Sequence, residues 1–298
     1  MRKIVLTTIA LSYPCVAQGH GTTRDAVSAS WTFDPWVIVP LIAFGLIYVI
    51  GLLVLSQRTA QRRRGRAWQT LACCAGWLTL AAALVSPLHW LGERLLTFHM
   101  IEHEMLMAVA APLLAIAQPV GPLLWSLPRS ARLAVGRAMR RPLTVRLWTS
   151  LSGGRNATLL HGVAIWAWHA PALFDAAVQD VLLHRFQHLS FFLTAVLFWW
   201  SVFRRSQTGS AAWHVFVTML HTSVLGALMA LAPHLLYRQQ TDAAAAWGLT
   251  PLEDQQLAGI IMWVPAGTIY AGAALALIAL WIRRAGKDSE RADALHAL

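Results

Sequence analysis

Charge is scarce in this chain. Of its 298 residues only 12% are charged, and only 13 are acidic. So little polarity cannot cover a water-soluble surface. With 57% hydrophobic residues and a mean hydropathy of +0.53, the chain belongs in a membrane. Cysteine is scarcer still, at three residues. Cys15 sits near the N-terminus, and Cys73 and Cys74 are adjacent, without the C-x-x-C spacing of a redox or zinc motif. They read as small apolar packing residues. Internal repeats and low-complexity segments are absent, and no connection is long enough for a separate soluble domain.

What is abundant is long apolar runs. Seven of them reach the ~20 residues needed to cross a bilayer, at 36–56, 68–88, 95–117, 157–177, 185–203, 212–232 and 256–282. The expectation is an all-α membrane protein, a seven-transmembrane-helix bundle forming one domain over 36–282. Arg2 and Lys3, the apolar stretch Ile4 to Leu11 and the small residues before position 18 make 1–17 a signal or targeting segment. Residues 18–35 then form an outer N-terminal segment and 283–298 a cytoplasmic tail. Many of the 15 tryptophans fall near span ends, as interfacial belts do.

The net charge of +11 could suggest nucleic acid, but its distribution argues against that partner. Eighteen basic residues lie on alternate connections: Arg58 to Arg66, Arg129 to Arg155, Arg204 with Arg205, and Arg283 to Arg291. Apart from the targeting segment, the opposite side carries only Arg24, Arg94, Arg185 and Arg238. This is the positive-inside asymmetry and predicts an N-outside, C-inside topology. The basic residues are topology signals and contacts for anionic membrane lipid. The prolines of 118–156 predict two short interfacial pieces, the second basic and amphipathic. Thr250 with Glu253 is spaced to cap the last span.

Histidine inside a bilayer is costly unless paired, so each such residue is a functional candidate. Of the 12 histidines, His99 and His103 lie near the outer end of the third span, and His184 and His188 at the outer start of the fifth. Both pairs are four apart, so each lies on one helix face. His169 sits at a similar depth, and His221 is near the middle of the sixth span. Two imidazoles at that spacing can hold a transition metal, and the methionines of the same spans, Met100 among them, add soft thioethers that favour copper(I). Other readings of the same residues stay open. A single membrane histidine can simply bond a neighbouring helix. His99-x-x-Glu102-His103 fits an inverted zinc-peptidase pattern, in which Glu102 would activate water for a metal-dependent hydrolase. Facing histidines can also ligate haem.

The segments "FHMIEHEMLMAVAAPLLAIAQPVGPLLWSLP", "AIWAWHAPALFDAAV", "LHRFQHLSFFLTAVLFWW", "LHTSVLGALMALAPHLLY" and "WGLTPLEDQQLAGIIMWVPAG" closely resemble, in order, blocks of the CtaG-type family of cytochrome c oxidase assembly factors. The resemblance covers 36–282 and implies a seven-span bundle of the bacterial cytoplasmic (inner) membrane. It implies a copper-handling assembly factor without catalytic residues. Its partners would be cytochrome c oxidase subunits and a periplasmic copper donor. Carried over residue by residue, the family's histidines fall on His99, His103, His169, His184, His188 and His221, and its acidic turn on Glu253 and Asp254. The expected ligands are His99, His103, His169, His184 and His188. Met100, Glu102, His221, Glu253 and Asp254 are expected around the ion or on a transfer path. Glu102 departs from the amide expected there, which leaves copper(I), copper(II) and zinc open.

Overall fold

The structure, a computed structural model, describes residues 30–58, 63–239 and 243–296. The targeting segment, most of the outer segment before residue 36, and Cys15 lie outside the described residues. Among the described residues there is no strand. Helix α1 runs Pro35–Arg58, α2 Arg63–Val85 and the short α3 Pro87–Gly92. Helix α4, Leu96–Glu104, continues through a π-helical stretch, Met105–Ala110, into α5, Ala111–Ala117. Three short helices follow: α6 Val120–Trp125, α7 Arg129–Met139 and α8 Pro142–Leu151. The chain ends with α9 Gly154–Trp168, α10 Pro171–Gln179, α11 Val181–Arg204, α12 Thr208–Ala230 and α13 Pro251–His296.

Among the described residues six helical runs are long and apolar enough to cross a membrane: Pro35–Gln57, Ala67–Val85, Leu96–Ala117, Val181–Arg204, Thr208–Ala230 and Pro251–Lys287. The expected fourth span, 157–177, is divided between α9, of 15 residues, and α10, of 9. Pro171 explains the break. It lacks an N–H and pushes the preceding residue out of the helical region, and Ala170 is extended with φ −63° and ψ 126°. The proline-rich 118–156 segment forms three helices where two were expected. None of the three contains a buried residue, as pieces lying on a membrane surface would. At the other end α13 runs on past 282 as one 46-residue helix into the expected tail.

The span Leu96–Ala117 is the hub: 67% of it is buried, against 11% for Pro35–Gln57, where Val39, Ile42, Leu46, Val49 and Leu53 face outward as lipid-facing residues do. The π-helical stretch lies at the middle of this hub. Such a stretch offsets the normal hydrogen-bond ladder, and here the Met107 carbonyl accepts from Trp199 Nε1 at 2.9 Å. Trp199 in turn stacks on Tyr270 with centroids 5.5 Å apart, tying α11 and α13 to the hub. Helices α12 and α13 meet backbone to backbone, because a Cβ at Gly226 would fall 2.8 Å from the Gly259 carbonyl oxygen.

At its N-terminus α13 makes two distinct connections. Thr250 and Glu253 form a reciprocal cap: the Thr250 N–H donates to Glu253 Oε2 at 2.7 Å and the Glu253 N–H to Thr250 Oγ1 at 3.2 Å. The next residue, Asp254, reaches across to α4. Its carboxylate accepts from the Leu96 N–H at 2.7 Å, the Thr97 N–H at 3.0 Å and the Thr97 hydroxyl at 2.6 Å. This fixes the start of the helix that carries His99 and His103.

Candidate metal centre

The two i,i+4 histidine pairs converge. On α4 the His99 and His103 rings lie 4.4 Å apart and nearly perpendicular. On α11 His184 and His188 repeat that spacing, with their Nε2 atoms 3.2 Å apart. Across the helix interface His99 stacks on His184 at 5.2 Å, and His103 meets His188 edge-on at 5.1 Å. His99, His103 and His188 each offer one ring nitrogen within 4.8 Å of the others, all three residues being buried.

The breaking of α9 brings in a further ring. His169 ends that helix, 6.0 Å from His103. Its Nδ1 lies 2.7 Å from the Ile165 carbonyl oxygen, which can only accept, so Nδ1 carries the proton. The Nε2 lone pair is therefore bare, and it is buried without a partner. His99 Nε2 and both His103 nitrogens are likewise buried without hydrogen bonds. Buried polar atoms are otherwise almost always satisfied. Several orphaned imidazole nitrogens at one place are a ready set of ligand atoms, and the group fits a transition ion that takes nitrogen donors.

The walls around them are apolar. Phe191 lies 4.7 Å from His103 and Phe174 5.2 Å from His99, with Tyr237 packed on Phe174 at 4.4 Å. The Tyr237 hydroxyl donates to the His169 carbonyl at 2.9 Å, and burial pushes its phenol well above the ordinary value, so it remains a donor. Gln255 holds the Tyr237 segment in place, accepting from the Leu236 N–H at 2.6 Å.

One participant is not evident from the sequence. His89, on the short helix α3, places Nδ1 2.7 Å from Glu102 Oε1 and its ring 6.0 Å from His184. Burial alone would lower its pKa, but the hydrogen bond and charge of Glu102 outweigh that and hold it above the ordinary value. Glu102 also presses against Gly92, where a Cβ would stand 2.5 Å from Oε2. A side chain at that position would have to displace the buried Glu102 carboxylate. The departure at Glu102 was the one available signal, since a carboxylate at a membrane position needs a partner.

Other expected residues serve elsewhere. Glu253 is exposed and caps its own helix, and Asp254 anchors α4, so neither faces the imidazoles directly. His221 is not part of the group: its Nδ1 accepts from Trp166 Nε1 at 3.3 Å, and its ring abuts Gly162, two turns along α9 from His169. Met100 is fully buried in the apolar core.

Residues 46–284 match the model of the cytochrome c oxidase caa3 assembly factor family, Caa3_CtaG. The chain belongs to that family. No curated protein and no solved structure matches it. The matched region contains all six converging histidines, together with Glu102, Gly92 and Asp254. An assembly factor of cytochrome c oxidase associates with that oxidase, so the buried histidine group belongs to a membrane protein that serves a respiratory complex.

Proposed function

We propose that this assembly factor binds copper as cargo at the His99, His103 and His188 group and presents it, on the outer side of the membrane, for insertion into the oxidase. His169 and His184 complete the ligand choice. The observation that carries the reading is the cluster of buried, unpartnered imidazole nitrogens. Among the described residues nothing hydrogen-bonds His99 Nε2, either His103 nitrogen or His169 Nε2, and a nitrogen-seeking ion would satisfy them. Neutral imidazoles are what such an ion requires. Glu102 holds His89, and through it one side of the cluster, as outer partners of metal ligands do.

The geometry also supports seven crossings. Near the start of α9, Thr158 Oγ1 lies 3.1 Å from His214 Nδ1, close to where α12 begins after Arg204 and Arg205. The far end of α9 reaches His103 through His169. Helix α9 therefore joins the basic side of the bundle to the histidine side, with α10 completing its length. An odd number of crossings would leave the two ends on opposite sides of the membrane, in keeping with the basic asymmetry, which favours an external N-terminus. A haem reading has no such support, because rings packed 4.4–5.8 Å apart leave no slot for a macrocycle.

The test is a copper(I) titration of the purified protein against a chelator of known affinity, alongside oxidase maturation in cells. The wild type should bind copper stoichiometrically, and His103→Ala or His188→Ala should lose it along with maturation. A wild-type protein that binds no copper, or variants that bind it unchanged, would refute the proposal.

A further inference from the structure

A second feature lies apart from the histidine cluster, on helices α12 and α13. Helices α12 and α13 leave between them a cleft of about 500 Å³. Its walls are Ala212, Trp213 and Phe216 on one helix and Ala271, Leu275 and Trp281 on the other. The lining is almost wholly apolar, and the volume lies in the range of ligand sites, ~300–1,000 Å³. Small residues set its depth and the large rings of Trp213 and Phe216, both exposed, stand along its rim.

One end of this cleft is basic. Arg284 Nη1 donates to Thr208 Oγ1 at 2.7 Å, which places the guanidinium at the first residue of α12. Arg283 is beside it, Lys287 is one turn further along α13, and Arg204 and Arg205 close α11 just before Thr208. No acidic residue occurs from Val181 to Thr241, nor from Gln255 to Lys287. Asp288 follows Lys287 on α13, one turn beyond Arg284, but the five cations Arg204, Arg205, Arg283, Arg284 and Lys287 outnumber it, so the end of the cleft keeps a net positive charge.

We infer that the cleft holds an acyl chain of an anionic phospholipid, whose phosphate sits on Arg283 and Arg284. The apolar walls suit a hydrocarbon chain, and guanidinium groups suit a phosphate, which they bind through paired hydrogen bonds. Charge also decides against the two other occupants of an apolar cleft. The basic flanks of transmembrane helices all face the same side of the membrane. A helix from another subunit would therefore bring its own cations to Arg283 and Arg284. A second copy of this chain, inserted in the same orientation, would bring the same two arginines. A phospholipid phosphate alone complements that end. The inference is independent of the copper reading, because it uses neither the histidines nor any bound ion.

The test uses the full chain in a neutral detergent, titrated with phosphatidylglycerol or phosphatidylcholine of identical acyl chains and followed by native mass spectrometry. One phosphatidylglycerol should be retained roughly tenfold or more over phosphatidylcholine, each cation near a headgroup contributing about fivefold. Arg283→Gln with Arg284→Gln should reduce phosphatidylglycerol to the phosphatidylcholine level. Ala271→Phe should fill the cleft and lower retention of both lipids. Leu275→Trp, at a position open to the membrane, should do the same and serves should the first variant fail to fold. Equal retention of the two lipids by the wild type would overturn the inference, as would a preference that survives the double arginine change. A dimer that the cleft-filling variants dissolve would overturn it too, because a second copy would then be the occupant.

Discussion

Replacing Asp254 by alanine separates the anchoring of α4 from the chemistry of its histidines. The carboxylate is 1% exposed and accepts three hydrogen bonds of 2.6–3.0 Å from Leu96 and Thr97. These are the first two residues of α4, whose own cap position, Leu95, supplies no side-chain acceptor. Losing a capping side chain typically costs ~0.5–2 kcal/mol. Hydrogen bonds to a charged acceptor contribute about 1.5–3 kcal/mol each, and buried donors left behind carry a further penalty. Because the three bonds share one carboxylate they do not add independently. A destabilisation of about 3–5 kcal/mol is expected for Asp254→Ala, and about half of it for Asp254→Asn, which keeps one acceptor oxygen but turns an NH₂ toward an N–H. Unfolding in a fixed detergent measures this, with a copper titration on the same sample. All the imidazoles remain, so binding should weaken as α4 loosens, yet not vanish as it would on removing a ligand. An Asp254→Ala protein with wild-type unfolding and wild-type copper affinity would show that α4 needs no anchor, and the reasoning would fail.

Glu102→Gln should keep copper binding and oxidase maturation close to normal, since an amide oxygen can still accept from His89; if metal binding survives but all function is lost, Glu102 is a catalytic base and the hydrolase reading replaces the copper one. Gly92→Ala should destabilise the protein by about 1–3 kcal/mol, the range for overpacking a filled site, because the new methyl group would stand 2.5 Å from Glu102 Oε2. Thermal unfolding reads this directly, and combining it with Glu102→Ala should relieve most of the loss. Reporter fusions should be cytoplasmic after residue 66 and external near Ala245; the opposite signals would invert the sidedness of the histidine cluster.

The convergence of the histidines was legible because two regularities act together. The helical period sets His99 over His103 and His184 over His188, and the asymmetry of basic charge puts both pairs at one depth. Neither regularity reaches His89. It lies 13 residues before Glu102 on a separate short helix that starts at Pro87, and no periodicity links the two. The acidic pair before the last span shows a different limit. Glu253 and Asp254 look equivalent in sequence, but successive residues of a helix point about 100° apart. One therefore turns back to Thr250 while the other reaches α4. His221, expected around the ion or on a transfer path, lies near the middle of α12 and two turns along α9 from His169, outside the cluster itself. The division of the fourth span was signalled by Pro171, whose effect on Ala170 a count of apolar residues does not register.

The charges around the cluster bear on which ion it suits. Six imidazoles converge, and neutral imidazole brings no negative charge to offset a cation. Glu102, the carboxylate that contacts a histidine of this group, is engaged by His89 and pressed against Gly92. The cost of moving an ion from water into a low-dielectric interior rises with the square of its charge, so a divalent ion faces about fourfold the penalty of a monovalent one. Zinc sites that hold their ion permanently commonly supply thiolates or carboxylates against that penalty. Here neither cysteine lies in the cluster, and no acidic side chain is among the three residues whose ligand atoms converge. Under the proposed copper reading, the monovalent ion asks least of such a site. A cluster of neutral donors would also release the ion more readily than one with anionic ligands, and the proposed hand-over of copper to an oxidase requires release.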